Sequence, residues 1–207
     1  MASIKRPNIV FILSDDQGPW AMGCAGNPEI RTPNLDRIAS TGIRFENFFC
    51  ASPVCSPARA SLLTGRMPSA HGILDWLRGG NMDQPAGKAD ESLKELLIGG
   101  KAAPGDEAIE YLHGIRGYTD FLAEAGYDCA LSGKWHMGHS LKPQKSFRHW
   151  YAHQLGGGPY YNAPMIRDGQ PYKEKAYVSD AITEGALAYL KSRQSAAAQP
   201  FYLSVHY

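Results

Sequence analysis

Three stretches of the chain are apolar almost without interruption, and they limit the fold more than any other feature: Asn8-Ile-Val-Phe-Ile-Leu-Ser14, Tyr127 to Ser132 and Phe201 to Val205. A strand with one face in water alternates apolar and polar residues, whereas a strand covered on both faces reads as a continuous run. These runs therefore predict buried strands of a parallel sheet. Parallel neighbours need crossovers, and the intervening sequence supplies helices for them. Thr32 precedes Pro33 in a segment with Leu35, Ile38 and Ala39 on one face and Gly42 as its stop, which predicts a short capped helix. Thr119 is the expected cap of a second helix, Asp120 to Ala125, stopped by Gly126; Ser179 to about Arg193 predicts a third that buries Ile182, Ala186, Leu187 and Leu190. A further helix is expected around Glu91 to Ile98, with Leu93, Leu96 and Leu97 inward, and Ile43 to Phe49 reads as another extended segment. Strands and helices in alternation predict an α/β fold, a mainly parallel sheet flanked by helices.

With 207 residues the chain can bury a good core and suits one domain or at most two, read here as one catalytic-domain portion, 1–207. Its 21 Lys and Arg balance 20 Asp and Glu, so no overall field draws it to nucleic acid or an anionic membrane, and recognition must be local. Cys24, Cys50, Cys55 and Cys129 show no short repeated spacing, which argues against a zinc cage and against a disulfide-framed mini-protein. The first apolar run is too short for a secretory core and is followed by no small-residue cleavage site. No stretch approaches the roughly 20 apolar residues of a membrane helix. The expectation is a soluble chain with no membrane span and no signal peptide in these residues.

The chemistry gathers at the carboxyl ends of the predicted strands, where open α/β sheets hold their sites. Asp15 and Asp16 follow the first run; an Asp pair there either closes a turn or ligates a cation. Gly133-Lys-Trp-His-Met-Gly138 follows the second, and along an extended chain Lys134 and His136 would face the same side. Between them lies Cys55-Ser-Pro-Ala-Arg-Ala-Ser-Leu-Leu-Thr-Gly-Arg66. Pro57 suits a first helical turn and Gly65 a left-handed stop, so a helix opens inside this stretch with Cys55 just ahead of its N-terminus. With Arg59 one turn on, such a position favours an anion. A cysteine-phosphatase loop would need a longer spacing between Cys and Arg than the three residues present. Beyond Arg66, His71, Trp76 and Arg78 are candidates for a substrate wall, against the plainer reading of a packed Trp and a solvated Arg. His139, His149 and His153 lie in a polar, aromatic-rich stretch with Gly156 to Gly158; their spacing suits no metal geometry, and they read as solvated or hydrogen-bonded loop residues. The stretch from Gly99 to His113 has little pattern and is given no role.

The stretch from Cys55 to Arg66 resembles the sulfatase signature, Cys-x-Pro-x-Arg followed by Leu-x-x-Gly-Arg or its Thr-Gly-Arg form. Gly133-Lys-Trp-His-x-Gly resembles a second sulfatase motif in the expected order, and Thr-Pro-Asn-Leu-Asp at 32–36 is typical of the same N-terminal region. The resemblance implies an alkaline-phosphatase-like fold and hydrolysis of aryl or carbohydrate sulfate esters. It implies that a formylglycine-generating enzyme oxidises Cys55 to formylglycine, whose hydrate attacks sulfur with one hydroxyl and expels sulfate with the other. Asp15 and Asp16, with residue 55, would bind Ca2+. Arg59 and Lys134 would stabilise the hydrate and the charge growing on the sulfuryl oxygens. His136 would be the base for the second hydroxyl, because imidazole titrates near neutrality.

The same resemblance shows what this stretch of chain lacks. Calcium takes about six to eight oxygens, and the family's further metal ligands, a Lys and a leaving-group His come from a later portion. In the family the last strand leads into an Ala-Pro-His turn, so the substrate-contacting His would follow Tyr207 and His206 is not expected to inherit its role. The expectation is the N-terminal part of a sulfatase catalytic domain with its C-terminal part missing, inactive by itself. A formylglycine-dependent phosphonate monoester or phosphodiester hydrolase would carry the same motifs, and a non-catalytic fragment would keep the fold.

Overall fold

The computed structural model describes residues 6–81, 107–194 and 199–207. Internal contacts divide the chain into a larger unit, the residues up to Leu13 together with Ala51 to Tyr207, and a smaller one, Ser14 to Cys50. The helix expected around Glu91 to Ile98 lies outside the described residues, as does the first part of the stretch from Gly99 to His113.

In chain order the elements are β1 (Ile9–Leu13), α1 (Pro33–Thr41), α2 (Cys55–Thr64), α3 (Pro68–His71), α4 (Tyr118–Glu124), β2 (Asp128–Gly133), β3 (Phe147–His153), β4 (Ala163–Arg167), β5 (Gln170–Glu174), α5 (Val178–Arg193) and β6 (Phe201–His206). Among the described residues the strands form one sheet in the order β1-β6-β2-β3-β4-β5. β1, β6, β2 and β3 run parallel. Successive residues of β2 and β6 feed different cores, as the strand period requires. Leu131 and Tyr202 join Ala60, Leu63, Trp135 and Phe147 beneath α2 and α4. On the opposite face Ala130, Leu203 and Val205 pack against Ala181, Ile182, Ala186 and Tyr189 of α5. A fully buried Leu such as Leu131 or Leu203 contributes about 1.5–3 kcal/mol by leaving water. Helices on both faces of a largely parallel sheet are the expected α/β arrangement.

Several local expectations are corrected. β1 was predicted to be covered on both faces, yet it is the outer strand, and Val10 and Ile12 are 50% and 57% exposed. They stand in register with Leu203 and Val205 on the α5 face, but α5 lies over β6, β2 and β3. Of the histidine-rich stretch, His139 and Gly156 to Gly158 lie in loops as expected, but two of its histidines do not. His149 and His153 belong to β3, which pairs antiparallel with β4, and β4 with β5. His, Tyr and Trp can bury their rings while their polar atoms find partners, so this strand does not look apolar in sequence. Asp168 and Gly169, at φ 52° and 74°, form the two-residue turn joining β4 to β5. α4 starts at Tyr118 and is capped by Asp120, whose Oδ2 accepts the Gly117 N–H at 2.8 Å, while Thr119 is buried within the first turn. On α5, Tyr189 occupies the inward stripe and Leu187 faces out.

In the smaller unit, Thr32 holds the N-cap position of α1 without making a capping bond. Its hydroxyl instead donates to Asp36 Oδ1 at 2.9 Å and accepts the Gly23 N–H at 2.8 Å. The Cys24 N–H, donating to Asp36 at 2.7 Å, and Thr32 together hold the Asp36 carboxyl below its ordinary range. Leu35 and Ile38 of α1 are exposed, as are Ile43, Phe45, Phe48 and Phe49. The segment from Ile43 to Phe49 forms no strand, because among the described residues no neighbour pairs with its backbone.

Candidate active site

α2 begins at Cys55 itself, one residue earlier than expected, with Val54 extended ahead of it and Gly65 at φ 66° closing it. Pro57 in the first turn needs no hydrogen-bond partner for its nitrogen, and Gly65 takes the left-handed conformation that a side chain would resist. The helix is seated by its polar residues. Ser56 Oγ accepts the Leu77 N–H at 3.2 Å, and buried Ser61 Oγ lies 2.9 Å from His71 Nε2. His71 Nδ1 accepts the Ile73 N–H at 3.2 Å, so the proton sits on Nε2 and is donated to Ser61. Burial depresses the His71 pKa and keeps the ring neutral. His71 thus ties α2 to the following turn and is buried among the described residues.

Cys55 Sγ lies 3.3 Å from His136 Nδ1. The other ring nitrogen of His136 is 3.0 Å from the Leu77 carbonyl, which can only accept, so Nε2 carries a proton, and in the neutral ring Nδ1 is the acceptor facing Cys55. The Trp76 ring meets the imidazole edge-on at 5.5 Å. Gly156 lies against its other side, where a Cβ would overlap the ring. His136 sits at φ 55°, so it does not simply alternate with Lys134 along an extended chain. A left-handed conformation costs a residue with a side chain about 1–2 kcal/mol, and such cost is concentrated where an orientation is functional.

Arg59, one turn along α2 from Cys55, is 4% exposed. Its Nη1 donates to the Lys134 carbonyl at 3.2 Å and to His206 Nδ1 at 3.1 Å, and its Nη2 donates to the Tyr207 carbonyl at 3.3 Å. Lys134 is half-buried. Burial and then the Arg59 charge push His206 down to about 3. His206 was set aside in the sequence, yet it is an immediate neighbour of Arg59. The available signal was polar Ser204 and His206 at alternate positions of an otherwise apolar strand. Burial pushes His153 down to about 4 and the Cys129 thiol up to about 11, which leaves the first uncharged and the second inert near neutrality. All four cysteines are free.

Asp15 and Asp16 follow β1 after Ser14, the first residue of the smaller unit, with Asp16 at φ 56°. Carboxylate oxygens are the donors a hard cation prefers. Among the described residues no group of three or more His, Cys, Asp or Glu is placed to hold a metal ion. The pair therefore fits calcium in kind and supplies only part of its shell.

The family model for sulfatases matches residues 7–207. The chain belongs to the sulfatase family. This sulfatase sequence is 32% identical to an N-acetylglucosamine-6-O-sulfatase of Bacteroides thetaiotaomicron, across 98% of the chain and 30% of the relative. It is 34% identical to the N-acetylgalactosamine-6-sulfatase of Canis lupus familiaris, across 96% of the chain and 38% of the relative. The chain thus spans about a third of the length of these curated relatives. A solved structure in complex with its substrate D-glucosamine-2-N,6-O-disulfate superposes with a TM-score of 0.72 at 32% identity, over 98% of this chain and 34% of that one. Ps i-CgsB superposes with a TM-score of 0.74 at 27% identity, over 98% and 45%. The sheet and its helices are the alkaline-phosphatase-like α/β fold. Sulfatases are generally formylglycine-dependent and carry a divalent metal. Among the described residues no helix is long and apolar enough to cross a membrane.

Proposed function

We propose that the protein hydrolyses carbohydrate sulfate esters, that residue 55 acts as formylglycine, and that residues 1–207 are part of a sulfatase catalytic domain. The observation that carries this is Cys55 Sγ at 3.3 Å from an imidazole nitrogen whose tautomer makes it an acceptor. The choice of carbohydrate over aryl esters is supported by the relatives named above, which are sulfatases of N-acetylhexosamines, and by the glucosamine disulfate complex.

Formylglycine at position 55 would supply, as its hydrate, one hydroxyl to attack sulfur and a second to expel sulfate. A hard cation, calcium in this proposal, held by Asp15, Asp16 and residue 55, would polarise a sulfate oxygen. The chain's own residues do the rest. In its neutral form His136 carries its proton on Nε2, donated to the Leu77 carbonyl, which leaves Nδ1 to accept a proton from the group at position 55. Trp76 and Gly156 keep the ring from rotating away. Arg59 holds a fixed positive charge one turn from residue 55, and Lys134 supplies a second cation to the charge developing on sulfate. A formylglycine-generating enzyme is the partner required for maturation.

Co-expression with a formylglycine-generating system is expected to convert Cys55, read from the mass of its peptide; a persistent thiol despite active machinery would remove the basis of the proposal. In a chain extended to the length of its relatives, Cys55→Ala is expected to abolish turnover of N-acetylglucosamine 6-sulfate, while Cys24→Ala and Cys129→Ala retain it. Faster turnover of a phosphodiester than of any sulfate ester would move the assignment to the phosphonate and phosphodiester hydrolases.

A further inference from the structure

The loop 154–162 joins β3 to β4 at the end of the sheet where β2 delivers Lys134 and His136. It is held along its length. Gln154 closes its base by donating its N–H to the Pro164 carbonyl at 2.8 Å. Gly156 lies against the His136 ring, and Gly158 against His153, where an added Cβ would stand 3.1 Å from the imidazole. Besides burial, the charge of nearby Lys134 lowers the pKa of His153, which sets this part of the loop beside a candidate site cation. Further on, the Tyr160 carbonyl accepts the N–H of Val178, the first residue of α5, at 2.8 Å. A segment pinned in this way has little freedom left to lose when it takes up a ligand.

What the loop shows to solvent is tyrosine. Tyr160 is 66% exposed, Tyr161 60%, and Tyr177, the residue ahead of α5, 37%. The Tyr160 and Tyr177 rings stack with centroids 5.5 Å apart and planes 29° apart, and Tyr161 leans on Tyr177 at 5.7 Å and 54°. Exposed apolar residues ordinarily scatter singly, whereas a contiguous patch marks a place where something binds. The exposed Phe45, Phe48 and Phe49 of the smaller unit would suit a dry contact. A tyrosine differs from them: its ring has an electron-rich face, and its hydroxyl both donates and accepts. The ligand that matches has one face of C–H bonds and a rim of hydroxyls, and a pyranose ring has both. Between Gly156 and Tyr160 the chain can extend by at most about 14 Å. The tyrosines therefore lie within the span of a short oligosaccharide from His136 and the group at position 55.

We propose that Tyr160, Tyr161 and Tyr177 form a stacking platform for a sugar residue of the glycan that carries the sulfate ester, beyond the sulfated residue itself. The inference rests on the proposed action on carbohydrate sulfates. Rings with two side-chain torsions each, already packed on one another, give a large contact area at low entropic cost. The platform holds the neutral part of the glycan, which leaves Arg59 and Lys134 to the sulfate.

The probe is chitotetraose, the unsulfated tetrasaccharide of N-acetylglucosamine, which meets the platform without engaging the sulfate site. In the 207-residue chain, carbon NMR of the tyrosine rings is expected to show saturable shifts at Tyr160, Tyr161 and Tyr177 with millimolar glycan, while buried Tyr189 and Tyr202 stay unmoved. Tyr161→Ala is expected to weaken binding about fivefold, the worth of one aromatic contact, and Tyr161→Phe to stay near the native affinity. Tyr161 is exposed, so neither change should unfold the chain, and the amide spectrum checks this. Absence of ring shifts, or a loss in Y161F as large as in Y161A, would overturn the proposal. So would silence of the same rings in a chain extended to the length of its relatives, where a later segment covering them would explain it. A chain that binds chitotetraose at these rings but cleaves no sulfate ester would lose the hydrolase reading and keep the glycan site. One that cleaves N-acetylglucosamine 6-sulfate with no response from the rings would lose only the platform.

Discussion

Gly156 shows how tightly the ring of His136 is held. A methyl group in place of its hydrogen would overlap the imidazole, and the ring cannot yield easily with Trp76 on another side and Leu77 holding Nε2. Gly156→Ala is expected to cost about 1–3 kcal/mol, as overpacking does, and to displace His136 from Cys55. Thermal melting and the His136 ring resonances check it; an unchanged melting temperature would mean that the 156 loop moves instead. A second residue-scale consequence concerns pH. His206 and His153 are depressed from 6.5 to about 3 and about 4, so each stays neutral in the native state while the unfolded chain takes up protons. Between those values and 6.5 the unfolded state binds more protons, and stability rises with pH. The contribution is fully present above 6.5 and is lost as pH falls, by up to about 1.4 kcal/mol per pH unit for each ring. Denaturant unfolding near pH 7 and near pH 5 is expected to differ by several kcal/mol, and His206→Asn to remove about half of that difference.

At the scale of elements, β1 and α2 behave differently although both carry motif residues. α2 is pinned along its length by Ser56, Arg59 and Ser61. β1 is bonded only to β6 among the described strands, and two of its five side chains, Val10 and Ile12, show apolar surface to water. An outer strand with an exposed apolar face is a template for pairing with another copy. Ile12→Lys is expected to reduce self-association in sedimentation velocity while changing stability by no more than about 0.5 kcal/mol, as exposed substitutions usually do. Persistent association in I12K would shift the cause to another surface, such as the exposed phenylalanines between Ile43 and Phe49.

At the scale of the whole molecule, the number of metal donors sets the expectation. Two adjacent carboxylates repel each other and leave most of a calcium shell to water. The 207-residue chain is therefore expected to bind calcium weakly and to show no turnover even with formylglycine in place. Isothermal titration should find no micromolar site. Micromolar affinity together with sustained hydrolysis would show that the chain, alone or paired with a second copy, completes its own site.

Much of this architecture is local in origin and could be read directly from the residues. Uninterrupted apolar runs foretold β2 and β6, Pro57 and Gly65 marked the limits of α2 within a residue or two, and the order of Cys55, Arg59, Lys134 and His136 carried the family resemblance. These are matters of period, backbone chemistry and spacing within a short window. The sequence did not contain the proton positions, because those depend on groups far apart along the chain. Cys55 and His136 are 81 residues apart, and Arg59 and His206 are 147 apart. Only the tertiary fold brings the Leu77 carbonyl to His136, 59 residues away, where it accepts the hydrogen bond from Nε2. The outer position of β1 was hidden for a similar reason: a continuous apolar run reports that a strand can be buried on both faces, whereas the reach of α5 decides which face of this one is covered.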